Sequence, residues 1–281
     1  MALSNYQFFF DGLTFGSGTP YIVENVDGLI GSAAVRNQDD DRGYIDGMVS
    51  GRDFYSGRTV TFDILIVGDS SHNAQYYYKQ LQTALTPQTL GYYPDPALSL
   101  QPQGTLGLFQ FQLVADSYTG DSSVTGLRRM WGRVRLVTTT IDPDYAYVYI
   151  STQVEFFFPD PRYYDDTAKT ATGTTAVAVS NNGWATTCPL ITIATPSASG
   201  SITDNVFGYV MAFSNVNTAQ SLNIDVLRRT ITQGGTSTVA GTPARNTLTT
   251  VNHWLDVPGS FNTNLTSTIG SMTITYRNAY L

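Results

Sequence analysis

The groups on this 281-residue chain that could do chemistry are mostly carboxylates and guanidiniums, so their spacing decides what they can do. Asp39, Asp40 and Asp41 stand together, as do Asp142 with Asp144 and Asp165 with Asp166. Two carboxylates share acid–base work only when their surroundings separate their pKa values, and adjacency in sequence does not supply that. A calcium loop needs alternating oxygen ligands, a glycine and a closing glutamate. Here Gly43 follows Arg42 with no glutamate near. These aspartates read as turn residues that bond their own backbone. Two histidines, His72 and His253, and the single Cys188 build neither a metal cluster nor an intrachain disulfide. No Gly-x-Ser-x-Gly elbow occurs, and the glycines at 16, 18, 104 and 107 miss the phosphate-loop spacings. The reading is a non-enzyme with no metal and no cofactor.

Two constellations remain. If 127–136 is extended, Arg129, Trp131, Arg133 and Arg135 share one face, and Met130, Val134 and Leu136 share the other. Guanidiniums around an aromatic ring suit a polar interface with another subunit, with Asp39, Asp40 and Asp41 of an adjoining copy as partners. The same guanidiniums could equally pair with aspartates of their own domain. In the C-terminal half, Trp184, Tyr209, Trp254 and Phe261 could stack on a sugar ring or fill a core. Trp184 and Trp254 are the candidate glycan contacts.

The elements that must position these residues are strands. Only 13% of the chain is charged, with 2 Lys and 2 Glu against 13 Arg and 20 Asp. The 38 Thr, 18 Tyr and 14 Phe favour a pleated, half-buried surface. The fold class is all-β. A net charge of −7 argues against a nucleic-acid binder, which needs a basic stripe to displace counterions, and the expectation is no nucleic-acid binding. No basic leader precedes an apolar core, and no apolar run reaches the ~18 residues of a membrane span. The expectation is a protein made in a cytoplasm, with no membrane.

Val60, Phe62, Ile64 and Ile66 alternate along a strand with one buried face. A helix follows over 71–86, capped by Asp69-Ser70-Ser71, faced by Tyr77, Leu81, Ala84 and Leu85, and stopped by Pro87. Val148, Ile150, Val154, Phe156 and Phe158 mark a long strand that Pro159 and Pro161 end. This predicts a β-barrel or sandwich-like domain with one short helix over 1–166. A linker poor in large apolar residues spans 167–183. Short strands with regular turn signals then predict a jelly-roll or similar β-sandwich over 184–281.

Several motifs coincide along this layout. Phe10-Asp11-Gly12 sits near the N-terminus, and Gly57-Arg58 leads into the alternating strand. The second half carries Leu222-Asn223-Ile224-Asp225, then Arg228-Arg229-Thr230, then His253-Trp254-Leu255-Asp256-Val257-Pro258-Gly259-Ser260-Phe261-Asn262. It ends on Met272-Thr273-Ile274-Thr275-Tyr276-Arg277-Asn278-Ala279-Tyr280-Leu281. In this order they resemble the distal tail protein of phages with long non-contractile tails, of the kind infecting actinobacteria. The resemblance implies a homo-hexameric ring made by 1–166 and a galectin-like sandwich projecting from it. It implies a place at the virion tail tip, assembled in the host cytoplasm, between the tail tube protein and the tail-associated and tip proteins. A second reading is a carbohydrate-binding module that adheres the tail tip to host-wall glycans.

Overall fold

The computed structural model describes residues 3–30, 33–36, 40–41, 48–49, 54–86, 106–112, 126–140, 148–235 and 241–281. It is built of antiparallel sheets and divides into two compact units, the first ending at Tyr163 and the second running from Tyr164 to Tyr280.

The first unit carries β1 (Gln7–Phe10), β2 (Leu13–Gly16), β3 (Tyr21–Asp27), β4 (Arg58–Val67), α1 (Ser71–Leu85), β5 (Gly107–Gln112), β6 (Leu127–Thr140) and β7 (Tyr149–Phe158). These strands lie in the order β2-β1-β5-β6-β7-β4-β3. Asp11 and Gly12 turn β1 into β2 with φ of 44° and 87°, which an Asp-Gly pair tolerates at little cost. The alternation of β4 buries Val60, Phe62, Ile64 and Ile66 against β7's Ile150, Val154, Phe156 and Phe158. Phe62 and Phe156 meet edge to face at 5.6 Å, and Phe109 and Phe158 at 5.4 Å. Each buried Phe contributes roughly 1.5–3 kcal/mol by area, so this aromatic cluster dominates the unit's stability.

Helix α1 covers one side of that core. Ser70 Oγ accepts from Asn73 N at 3.3 Å, and Asp69 accepts from the Asn73 side-chain amide. Ala74, Leu81 and Leu85 are buried beneath it. The Tyr21 hydroxyl reaches Tyr77 O at 3.0 Å and Gln80 Oε1 at 3.1 Å, tying β3 to the helix. Burial, then the neighbouring Tyr77 and Tyr76, push the Tyr21 phenol up to about 12.

The second unit is a two-sheet sandwich. One sheet orders β8 (Lys169–Gly173), β18 (Met272–Tyr276), β10 (Leu190–Ile193), β13 (Leu222–Asp225), β14 (Thr230–Gln233) and β15 (Thr242–Pro243) as β8-β18-β10-β13-β14-β15. The other orders β9 (Ala176–Asn181), β17 (Phe261–Ser267), β11 (Gly200–Asp204), β12 (Val210–Phe213) and β16 (Leu248–Val251) as β9-β17-β11-β12-β16. Ile191, Ile193, Ile202, Met211, Ile224, Leu265 and Ile274 form the core between them. The expected linker over 167–183 is therefore corrected. It holds β8, paired with β18, and β9, paired with β17. Its Val177 and Val179 are buried while Ala176 and Ala178 face out, a one-sided strand written in small residues.

Polar groups stitch the ends of this sandwich. Arg277 donates to the carbonyls of Asp165, at 2.9 Å, and Asp166, while Asn278 Nδ2 donates to Asp165 Oδ2 at 2.7 Å. Buried Asn181 places Nδ2 at 2.8 to 3.2 Å from the carbonyls of Ala185, Val257 and Pro258. At Gly259 a Cβ would stand 2.2 Å from the Trp184 carbonyl carbon, so the Pro-Gly turn needs glycine for close approach.

Candidate subunit interface

The sheet segment β6-β7-β4-β3 has an outer face whose composition follows from its register. Ser151, Gln153, Glu155 and Phe157 of β7 lie opposite Leu65, Asp63, Thr61 and Thr59 of β4. Asn25 and Gln153 both donate to Asp63, at 3.3 and 2.8 Å, and extend a polar ladder across three strands. Arg133 faces Phe157 across the β6–β7 ladder. Its guanidinium lies 5.8 Å from the Phe157 ring centroid, and that of Arg135 lies 3.5 Å above the same ring. Both cations are attracted to the one aromatic ring while keeping their charge in solvent.

Arg135 is the extra residue of a β-bulge between Val134 and Leu136. The bulge leaves the expected alternation intact through Val134 and inverts it beyond Arg135. Leu136 turns outward and is 52% exposed, and Val137, 38% exposed, takes the rung opposite Val154. The expected cluster of three guanidiniums around Trp131 also divides. Trp131 is buried, and Arg129 is half-buried opposite Gln110, four residues from Arg133 along the strand. Arg133 and Arg135 remain a pair. Asp40 and Asp41 form a two-residue strand paired with Met48–Val49, whereas Asp39, Asp142 and Asp144 lie outside the described residues.

Both edges of this segment have open stretches among the described residues. On the β6 side β5 pairs only from Leu127 to Gly132, and the short strand Tyr163–Asp165 also pairs with β6. β3 ends the strand order at the other side and carries exposed Ile22, Glu24 and Asp27. A groove of about 550 Å³ runs beside it, lined by Tyr6, Phe8, Ser17, Ile22, Glu24 and Val26. One edge is thus basic and apolar, and the other is acidic above an apolar groove.

Arg58, of the Gly57-Arg58 motif, has its role inside the fold. It is buried and donates to Pro161 O at 3.0 Å, Gly28 O at 3.1 Å and Leu29 O at 2.8 Å. Burial lowers its pKa, against the pull of Tyr163. The strand-ending Pro159-Asp160-Pro161 segment is anchored through it.

In the second unit Trp184 is 59% exposed, with its ring edge-on to Tyr280 at 4.8 Å. Trp254 does not join it at a surface. It is 7% exposed within the sandwich core, with the Arg245 guanidinium 5.7 Å over its ring. The two-sheet core simply needs its volume, so Trp254 is corrected from glycan contact to core. Among the described residues no three His, Cys, Asp or Glu side chains gather as a metal site, and no helix is long and apolar enough to cross a membrane.

Two β-units in tandem, the first a helix-backed open sheet and the second a sandwich, define the fold class. Across its whole length that fold is similar to a solved phage protein. The crystal structure of the Dit protein of phage SPP1, described as a paradigm of the hub adsorption apparatus in phages infecting Gram-positive bacteria, aligns with a TM-score of 0.67 at 15% identity. The alignment covers 98% of this chain and 99% of that one. A chain of the phage P2 baseplate in its activated conformation aligns over 96% of this chain and 97% of its own, at 10% identity and a TM-score of 0.46. Neither a family profile nor a curated protein sequence matches the chain.

Proposed function

We propose that this chain is a structural, non-enzymatic protein of a phage tail tip that forms a homo-hexameric ring and joins the tail tube to tip proteins. The observation that carries this reading is the end-to-end fold similarity to a phage hub protein, 98% of one chain on 99% of the other. Fold alone does not assign function. The open edge stretches of the first unit supply an independent physical support.

A head-to-tail contact places the 135–140 edge of one copy along β3 of the next. Repeated by a rotation that closes, such a heterologous contact builds a ring and covers these two edges. Arg133 and Arg135 then approach Glu24 and Asp27, and Leu136 enters the groove beside Ile22. Copies of a chain at −7 repel one another, so local complementarity must overcome that repulsion. Asp40 and Asp41 remain candidate partners for the same arginines.

Light scattering of the purified protein across concentration, with negative-stain images of the largest species, tests the reading. Six-fold rings are expected. A protein that stays monomeric at high concentration and is missing from tail tips labelled with specific antibody would overturn it.

A further inference from the structure

The net charge of −7 is not shared along the chain. Residues 164–280 carry five Lys or Arg and five Asp with no Glu, so the whole surplus of acid lies before them. Of those five cations, Arg277 is buried and Lys169 sits on the edge strand β8. The other three, Arg228, Arg229 and Arg245, gather at one corner of the second unit.

The chain path makes this cluster. Arg228 and Arg229 close the turn 226–229 between β13 and β14, and Arg245 opens the short 3₁₀ turn Arg245–Thr247 after β15. Arg245 Nη1 donates to Arg229 O at 3.0 Å, which brings its guanidinium to the backbone from which the other two side chains start. Arg228 N donates to Asp225 Oδ1 at 3.0 Å, and its Nη1 stands 3.7 Å from Asp225 Oδ2. Arg229 and Arg245 are exposed and form no ion pair among the described residues. Two of the three guanidiniums thus keep their charge unbalanced.

Arg229 is also held where a side chain is unwelcome. Its φ of 54° lies in the left-handed region, which glycine enters at little cost and other residues seldom do. Such outliers gather at ligand and switch sites, where the side chain is needed in spite of the strain.

The surroundings select the anion. A long polyanion spans several Debye lengths and meets the −7 of the whole molecule. A short acidic segment seats within the ~10 Å over which the corner's own charge acts. Guanidinium forks pair with carboxylates in bidentate fashion. Half-buried Leu227 and exposed Pro243 flank them along the chain, the mixture of Arg and apolar surface that protein interfaces favour. We infer that this corner docks an acidic, carboxylate-bearing segment of a partner protein, with Arg229 and Arg245 as the pairing forks. Asp225 steadies Arg228 beside them. None of these residues belongs to the first unit, so the docking does not depend on the ring.

Fluorescence anisotropy of labelled decaglutamate with the full chain tests this, with polyphosphate and a thymidine oligonucleotide of equal charge as rivals. Decaglutamate should bind at low salt and be released as salt rises. Arg229→Glu and Arg245→Glu should each weaken it about fivefold or more. Lys79→Glu, the same charge change on α1, should leave it unchanged. Arg229→Gly separates the site from the scaffold. It should weaken binding while the melting temperature stays level or rises, because glycine relieves the left-handed backbone. Several results would overturn the inference: no binding of decaglutamate, binding indifferent to Arg229 and Arg245, or an equal loss with Lys79→Glu. Tighter binding of either phosphate polymer, or an Arg229→Gly chain that melts lower and binds as before, would do the same.

Discussion

Tyr21 shows how a single polar atom couples elements of the first unit. Its hydroxyl joins β3 to α1 through Tyr77 O and Gln80 Oε1, and the neutral phenol is the form the fold prefers. A group whose folded pKa is raised, here from 10 to about 12, gives stability that is complete below pH 10 and is lost as pH rises through about 12. The melting temperature of the protein should therefore fall over that window more steeply than that of Tyr21→Phe. Below pH 10 the variant should be modestly less stable, by roughly 0.5–1.5 kcal/mol for the lost hydrogen bond. Parallel alkaline slopes for the two proteins would remove Tyr21 from this role.

Among the elements, the bulged half of β6 has the largest consequence. One extra residue at Arg135 sets two cations on Phe157 and turns Leu136 outward. Opposite charge sits on β3, at Glu24 and Asp27. If these edges meet in a ring, Arg133→Glu should weaken assembly, and combining it with Asp27→Arg should restore part of it. Exposed pairs contribute about 0–1 kcal/mol each, so the shift per contact is up to about fivefold and largest at low salt. Sedimentation at two ionic strengths reads this directly. Equal assembly of all three proteins would place the ring contact elsewhere.

For the whole molecule, the passage from one unit to the next is what proteolysis can probe. Residues 167–183 hold β8 and β9, one in each sheet of the sandwich, and Asp165 and Asp166 are bonded to Arg277 and Asn278. A protease needs extended, unpaired backbone, which these strands do not offer. Mass spectrometry of early digests should find 167–183 intact within a fragment that also contains 261–281. Early cleavage between Thr167 and Gly183 would show that β8 and β9 are not integral to the sandwich.

The chain by itself determined the all-β character, the single helix among the described residues and the long core strands. It did so because periodicity is a local property: Val60 to Ile66 alternate whatever their partners are, and Ser70 caps α1 from within its own turn. Only the tertiary structure decided the rest. The bulge at Arg135 comes from registering β6 against β7, and no spacing in 127–140 announces it. Strands β8 and β9 look like a linker because their outward residues are small and their inward ones find a core only in the opposite sheet. Trp254 and Trp184 are the same side chain, and what separates them is that the sandwich closes over one and leaves the other in solvent.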